Sequence, residues 1–143
     1  MALKIINKTP HIGSEIDADI DTLLSGSESQ NIRNILEQRG VIYFRGLDFN
    51  DQQQVAFAKT LGQTVASEGE DGIYKISLDE AVNARAKYLQ GSLFWHFDGS
   101  LQPYPNLAAL LRAIQLSDSG GQTEFCNTYS AYEQISDQDK RNL

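Results

Sequence analysis

The chain has 143 residues, 41% of them apolar and 22% charged, with a formal charge of −7 at pH 7. That length fits a single domain, 1–143, able to bury roughly 70% of its unfolded surface. No stretch clusters Lys and Arg, so nothing would neutralise phosphates, which excludes nucleic acid and anionic membrane as partners. The one cysteine, Cys126, excludes an internal disulfide, and no 18-residue apolar run or signal-peptide core is present. The cytoplasm is therefore the expected location.

In chain order, "LKII" (3–6) predicts a short strand, and "HIGSEIDADI" predicts a turn at Gly13 and a second strand near Ile16. "SESQNIRNILEQRG" places Ile32, Ile35 and Leu36 on one helical face, with Gly40 where a left-handed cap would close the helix. "VIYFRG", β-branched and aromatic and closed by Gly46, predicts a buried strand. Asn50 with Gln53 forms a capping box that opens a helix through Val55, Ala58 and Leu61, ending at Gly62. "GIYKISL" reads as another strand, and 79–91 as a long loop with one helical turn, a common form of binding loop.

"LAALLRAIQL" (107–116) is ambiguous, since its Ala and Leu content favours helix by propensity. Gly120-Gly121 predicts a turn and "QTEFCN" a strand; Ser136, with Asp139 three residues on, is an N-cap that opens a helix. No stop signal follows before Leu143, so the chain is expected to be cut there.

The chemistry concentrates in "GSLFWHFDGS" (91–100), which holds one of the two histidines and the only tryptophan. On a strand, residues i and i+2 share a face, so His96 and Asp98 would project together. An imidazole nitrogen beside a carboxylate oxygen suits two adjacent positions of an octahedral metal, as in a 2-His-1-carboxylate facial triad. H-x-D spacing alone equally describes a surface histidine beside a solvated aspartate. The flanking Phe94, Trp95 and Phe97 favour a buried strand, in which an unpaired His and Asp would be costly.

The run "FWHFDGSLQPYPNLAALLRAIQLSDSGGQTEFCNTYSAYEQIS" resembles the Fe(II)/2-oxoglutarate-dependent dioxygenases of the taurine and 2,4-dichlorophenoxyacetate dioxygenase family. The elements W-H-x-D, a proline loop, an apolar strand, G-G-x-T and an A-Y helix occur in the family's order, as Trp95, His96, Asp98, Pro105, Gly120, Gly121, Thr123, Ala131 and Tyr132. "IGSEIDADI" and "ILEQRGVIYFRGLDFNDQQQVAFAKTLG" extend the likeness over nearly the whole chain, and "GGQTEF" leans toward the aryloxyalkanoate-type members. The resemblance implies an α/β (α+β) fold, a partial double-stranded β-helix (jelly roll) with flanking helices, in which 107–116 is a strand.

It further implies Fe(II), 2-oxoglutarate and O2 as cofactor and co-substrates. His96 and Asp98 would be iron ligands and Thr123 would hydrogen-bond a carboxylate of 2-oxoglutarate. The substrate would be a small organic acid, oxidised with release of succinate and CO2.

Two departures accompany the resemblance. Where taurine-acting members carry a sulfonate-gripping histidine, "LGQTVASEGEDG" has Ser67 and no histidine. The family's second histidine ligand and its carboxylate-binding arginines lie further downstream than Leu143, so the chain is expected to carry the N-terminal half of the domain. Alone it would bind Fe(II) weakly, and uncovered strand edges would favour self-association into a homo-oligomer. The alternative is a non-catalytic or inactive truncated jelly-roll module. His11 reads as a polar residue at a strand edge, Cys126 as a packed thiol, the 67–72 stretch as a solvated acidic loop, and Lys75 and Arg112 as surface or snorkelling residues that could also meet an anion.

Overall fold

A computed structural model of the chain describes residues 3–64, 72–99 and 102–143. Strand β1 (Lys4–Asn7) pairs antiparallel with β2 (Ser14–Asp17), from Lys4 opposite Asp17 to Asn7 opposite Ser14. Gly13 turns the chain between them at φ 82°. Along β2 the strand period is plain: Ser14 and Ile16 are buried while Asp17 faces out. A two-residue β3 (Ile42–Tyr43) joins β2 on its other edge in parallel, giving the order β1-β2-β3. Parallel neighbours require a crossover, and helices α1 (Ile20–Ser25) and α2 (Ser29–Arg39) supply it. Helices with a small mixed sheet make this an α/β fold.

The helix ends follow the sequence signals closely. Asn50 accepts from the Gln53 N–H and Gln53 bonds back to the Asn50 N–H, both at 2.9 Å, opening α3 (Asp51–Leu61) with Gly62 as its C-cap. Gly40, at φ 67°, closes α2 by donating its N–H to the Leu36 carbonyl at 2.7 Å. Helix α1 was not among the expected elements: six residues are too few to show a period, although Asp19 caps it through the Thr22 N–H. Near the C-terminus, α4 (Thr128–Gln134), which holds the Ala131-Tyr132 pair of the A-Y helix, starts at Asn127, and α5 (Asp137–Lys140) starts at Ser136 as its capping pattern predicts.

The core gathers Leu23, Ile32, Phe49 and Phe57, with Leu3, Ile42, Phe44 and Leu61 packed against it. Phe57 is 1% exposed and lies between Phe44, edge-on at 5.8 Å, and Phe49 at 5.7 Å. The buried face of α3 is Gln54 and Phe57; Val55, Ala58 and Leu61 flank it half-buried.

The chain divides into two compact units, residues 1–63 with 119–143, and residues 64–118. Within the second, Asn83 is buried and ties its surroundings together, donating to the Lys75 carbonyl (2.9 Å) and the Tyr74 hydroxyl (3.2 Å) and accepting from the Arg85 N–H (2.9 Å). A 3-10 helix, Ala86–Leu93, replaces the expected single turn in 79–91.

The strand expectations fare differently. "VIYFRG" contributes only Ile42 and Tyr43 to the sheet, half-buried. "GIYKISL", 94–98, 107–116 and "QTEFCN" form no regular strand. A strand exists only when a second segment completes its hydrogen-bond ladder, and among the described residues none pairs with these four. Among the described residues, too, no helix is long and apolar enough to cross a membrane.

Candidate metal centre

The backbone leaves the 3-10 helix at Phe94, whose N–H reaches the Gly91 carbonyl at 3.2 Å and whose own conformation is extended. Residues 95–97 run without regular structure into a turn at Asp98 and Gly99, the latter at φ 72°. The Gly99 carbonyl accepts from the Gln102 N–H at 2.9 Å. A side chain at Gly99 would be strained by the left-handed backbone and would press on Asn106 Nδ2 at 3.3 Å.

The predicted convergence of His96 and Asp98 is present, although the strand invoked for it is not. His96 Nε2 stands 3.5 Å from Asp98 Oδ1. The ring is aimed by its other nitrogen, Nδ1, which lies 2.7 Å from the Phe94 carbonyl. A carbonyl only accepts, so the proton of the ring is assigned to Nδ1 and the Nε2 lone pair faces the carboxylate. Two acceptors side by side in that position offer a divalent cation two adjacent donors. A backbone carbonyl holding the far side of a ligating imidazole is a familiar arrangement at metal sites.

The donor set suits a divalent metal at two adjacent positions. Ligand bonds of about 2.1 Å at right angles set neighbouring donors about 3.0 Å apart, within about half an ångström of the observed pair. Among the described residues no third His, Cys, Asp or Glu joins them. His11 lies in the loop between β1 and β2, not on a strand edge; its carbonyl accepts from Asn127 Nδ2 at 2.7 Å.

The environment departs from the expected buried strand. The side chains of His96 and Asp98 are 48% and 68% exposed, and Phe94, Trp95 and Phe97 are exposed as well. No element among the described residues is layered over them, and without a paired strand there is no packed face for Phe97 to enter. The pair thus meets both halves of the sequence reading: the carboxylate is solvated, yet imidazole and carboxylate converge.

Thr123 lies in the first unit, exposed, on the irregular run between the left-handed pair Gly120-Gly121 (φ 71° and 73°) and α4. Cys126 is exposed, not packed, because 122–127 enters no sheet among the described residues. Lys75 is exposed and Arg112 half-buried. Ser67 and most of the 67–72 stretch lie outside the described residues.

Sequence reasoning missed the polar framework of the first unit. Glu15 receives Lys8 Nζ at 2.5 Å and the Tyr43 hydroxyl at 3.1 Å, with Arg45 Nε 3.7 Å away and its guanidinium over the Tyr43 ring. Arg39 reaches back from α2 to the 9–13 loop. The links of Tyr43 and Arg45 to Glu15, and of Arg39 to the loop, join residues 26 to 30 positions apart, where no local pattern signals the pairing.

The family model described as "Taurine catabolism dioxygenase TauD, TfdA family" matches residues 5–143. The alpha-ketoglutarate-dependent 2,4-dichlorophenoxyacetate dioxygenase of Burkholderia sp. (strain RASC) is 31% identical, over 92% of this chain and 50% of its own length. The alpha-ketoglutarate-dependent sulfate ester dioxygenase of Pseudomonas putida is 35% identical, over 87% of this chain and 41% of its own. The crystal structure of AAD-2 in complex with Mn(II) and N-oxalylglycine superposes with a TM-score of 0.73 at 23% identity, covering 99% of this chain and 49% of that one, a likeness of fold. The chain spans about half the length of these relatives. With the W-H-x-D and G-G-x-T elements in place within a match that runs from residue 5 to residue 143, the chain belongs to the TauD/TfdA dioxygenase family.

Proposed function

We propose that this chain serves an Fe(II)/2-oxoglutarate-dependent dioxygenase that hydroxylates a small organic acid or ester, within a jelly-roll domain of the family type. The observation that carries the reading is the pair His96 Nε2 and Asp98 Oδ1, 3.5 Å apart in the segment that bears the family's W-H-x-D element. His96 and Asp98 would hold the iron, and Thr123 would donate its hydroxyl to a carboxylate of 2-oxoglutarate. Bound there, the iron supplies the redox chemistry that spends O2 and 2-oxoglutarate, yielding succinate and CO2 alongside oxidised substrate.

The residues of this chain have the remaining tasks. The Phe94 carbonyl holds the Nδ1–H and keeps Nε2 free to ligate. The Asp98 carboxylate offsets cationic charge and fixes a second coordination position. Gly99, left-handed directly after Asp98, lets the chain turn there, where its carbonyl accepts from the Gln102 N–H. The named activities of the relatives, on a chlorinated phenoxyacetate and on sulfate esters, support an anionic small molecule as substrate, and "GGQTEF" supports the aryloxyalkanoate side of that class.

The test is an anaerobic titration with Fe(II) and 2-oxoglutarate followed by the metal-to-ligand charge-transfer band, then succinate measured after O2 is admitted. The expected result is a band and succinate release that both disappear in His96→Ala. A band unmoved by that substitution overturns the ligand assignment. No band and no succinate from the unaltered protein favours the non-catalytic module.

A further inference from the structure

Asn127 uses both ends of its side chain. Its Oδ1 accepts the Ser130 N–H at 3.1 Å and so caps α4; its Nδ2 donates to the His11 carbonyl at 2.7 Å, across 116 positions of sequence. The orientation of the amide is fixed by its partners, since an N–H only donates and a carbonyl only accepts.

The acceptor sits on a stiff platform. Arg39, from α2, donates from Nη1 to the Pro10 carbonyl at 3.0 Å, from Nη2 to the Gly13 carbonyl at 3.2 Å, and from Nε to Ser14 Oγ at 3.0 Å. Thr9 Oγ1 accepts the Ile12 N–H at 3.1 Å, and the Gly13 N–H returns to the Arg39 carbonyl at 3.1 Å. The loop that presents His11 is thereby tied to the helix behind it.

The segment on the other side of Asn127 has no such support of its own. Among the described residues, 121–127 form no ladder, and left-handed glycines stand at the start of the run, Gly120 just before it and Gly121 as its first residue. Thr123 lies on this run, four residues before Asn127. A cap alone does not require asparagine, because Asp and Ser cap helices about as well; only the amide also supplies the donor that reaches His11.

We propose that Asn127 is a positioning residue for co-substrate binding. Its bond to the His11 carbonyl anchors the end of the 121–127 run and thereby sets the Thr123 hydroxyl for a carboxylate of 2-oxoglutarate. The inference rests on the function proposed above.

The probe is N-oxalylglycine, the 2-oxoglutarate isostere with NH in place of a methylene, titrated calorimetrically into the Mn(II)-loaded protein. Hydrogen exchange of the 121–127 amides is followed in parallel. Asn127→Asp keeps the cap and loses the donor, so N-oxalylglycine affinity should fall by about tenfold, the scale of one lost hydrogen bond. Mn(II) affinity should hold, and the 121–127 amides should exchange faster. Arg39→Lys keeps the charge but not the fork, and should reproduce the pattern without touching Asn127, which keeps the proposal open to test if Asn127→Asp fails to fold. Unchanged affinity in a folded Asn127→Asp, or in Arg39→Lys where Asn127→Asp does not fold, reduces Asn127 to a helix cap and overturns the proposal. Unaltered protein that takes Mn(II) but no N-oxalylglycine overturns the co-substrate reading itself, and the role of Asn127 with it.

Discussion

His96 and Asp98 converge without sharing a strand: Nε2 and Oδ1 lie 3.5 Å apart, with the ring held on its other side by the Phe94 carbonyl. Both side chains are substantially exposed, so an ion pair between them adds little to stability. His96→Ala and Asp98→Asn are therefore expected to leave the thermal midpoint nearly unchanged, within about 0.5 kcal/mol. Each should weaken Mn(II) binding by at least about tenfold, since even the outer supports of ligands have effects of that size. Electron paramagnetic resonance of free Mn(II) measures the affinity. Variants that lose the midpoint but keep the metal would make the pair structural.

Thr123 offers one hydroxyl on an exposed segment without regular structure. Thr123→Val preserves shape and removes the donor. The expected effect is about 1 kcal/mol or somewhat more of lost 2-oxoglutarate binding, read as a raised apparent KM for 2-oxoglutarate in the succinate assay. An unaltered dependence on 2-oxoglutarate removes Thr123 from the site.

Phe57 is the centre of the aromatic core, 1% exposed and flanked by Phe44 and Phe49. Phe57→Ala deletes a fully buried ring from the cluster it forms with Leu23, Ile32 and Phe49, leaving a cavity that the neighbours fill only in part. A loss of about 3–5 kcal/mol is expected, measured by urea denaturation. A loss below about 1 kcal/mol would show that the core collapses freely onto the gap.

Glu15 should make stability depend on acid pH. The hydrogen bond from the Lys8 ammonium, followed by that from the Tyr43 hydroxyl, holds its carboxyl below the ordinary 4.5. A depressed carboxylate stabilises the fold above its unfolded value, and that contribution fades as pH falls through the folded value. The midpoint difference between the unaltered protein and Glu15→Gln is thus expected to be full at pH 7 and to shrink as the pH falls below 4.5. Asp19, lowered chiefly by the Thr22 N–H, acts in the same direction. A difference that stays constant into strong acid would mean that Glu15 acts through packing alone.

What the sequence by itself determined was whatever depends on contacts within about one helical turn. The Asn50–Gln53 capping box, the closing glycines at 40 and 62, the Ser136 cap and the His96–Asp98 adjacency all involve residues no more than four apart, and each is present where the pattern placed it. The tertiary structure decided everything that needs a distant partner. "VIYFRG" and "GIYKISL" have equal strand character, yet only Ile42 and Tyr43 find β2 to complete their hydrogen bonds. Phe94, Trp95 and Phe97 carry the composition of a buried strand and remain exposed, because apolar side chains are buried only by a second layer that their own segment cannot supply. The same holds for polar links: Arg39 on the 9–13 loop and Asn127 on His11 join residues tens of positions apart, where geometry selects the partner and local pattern is silent.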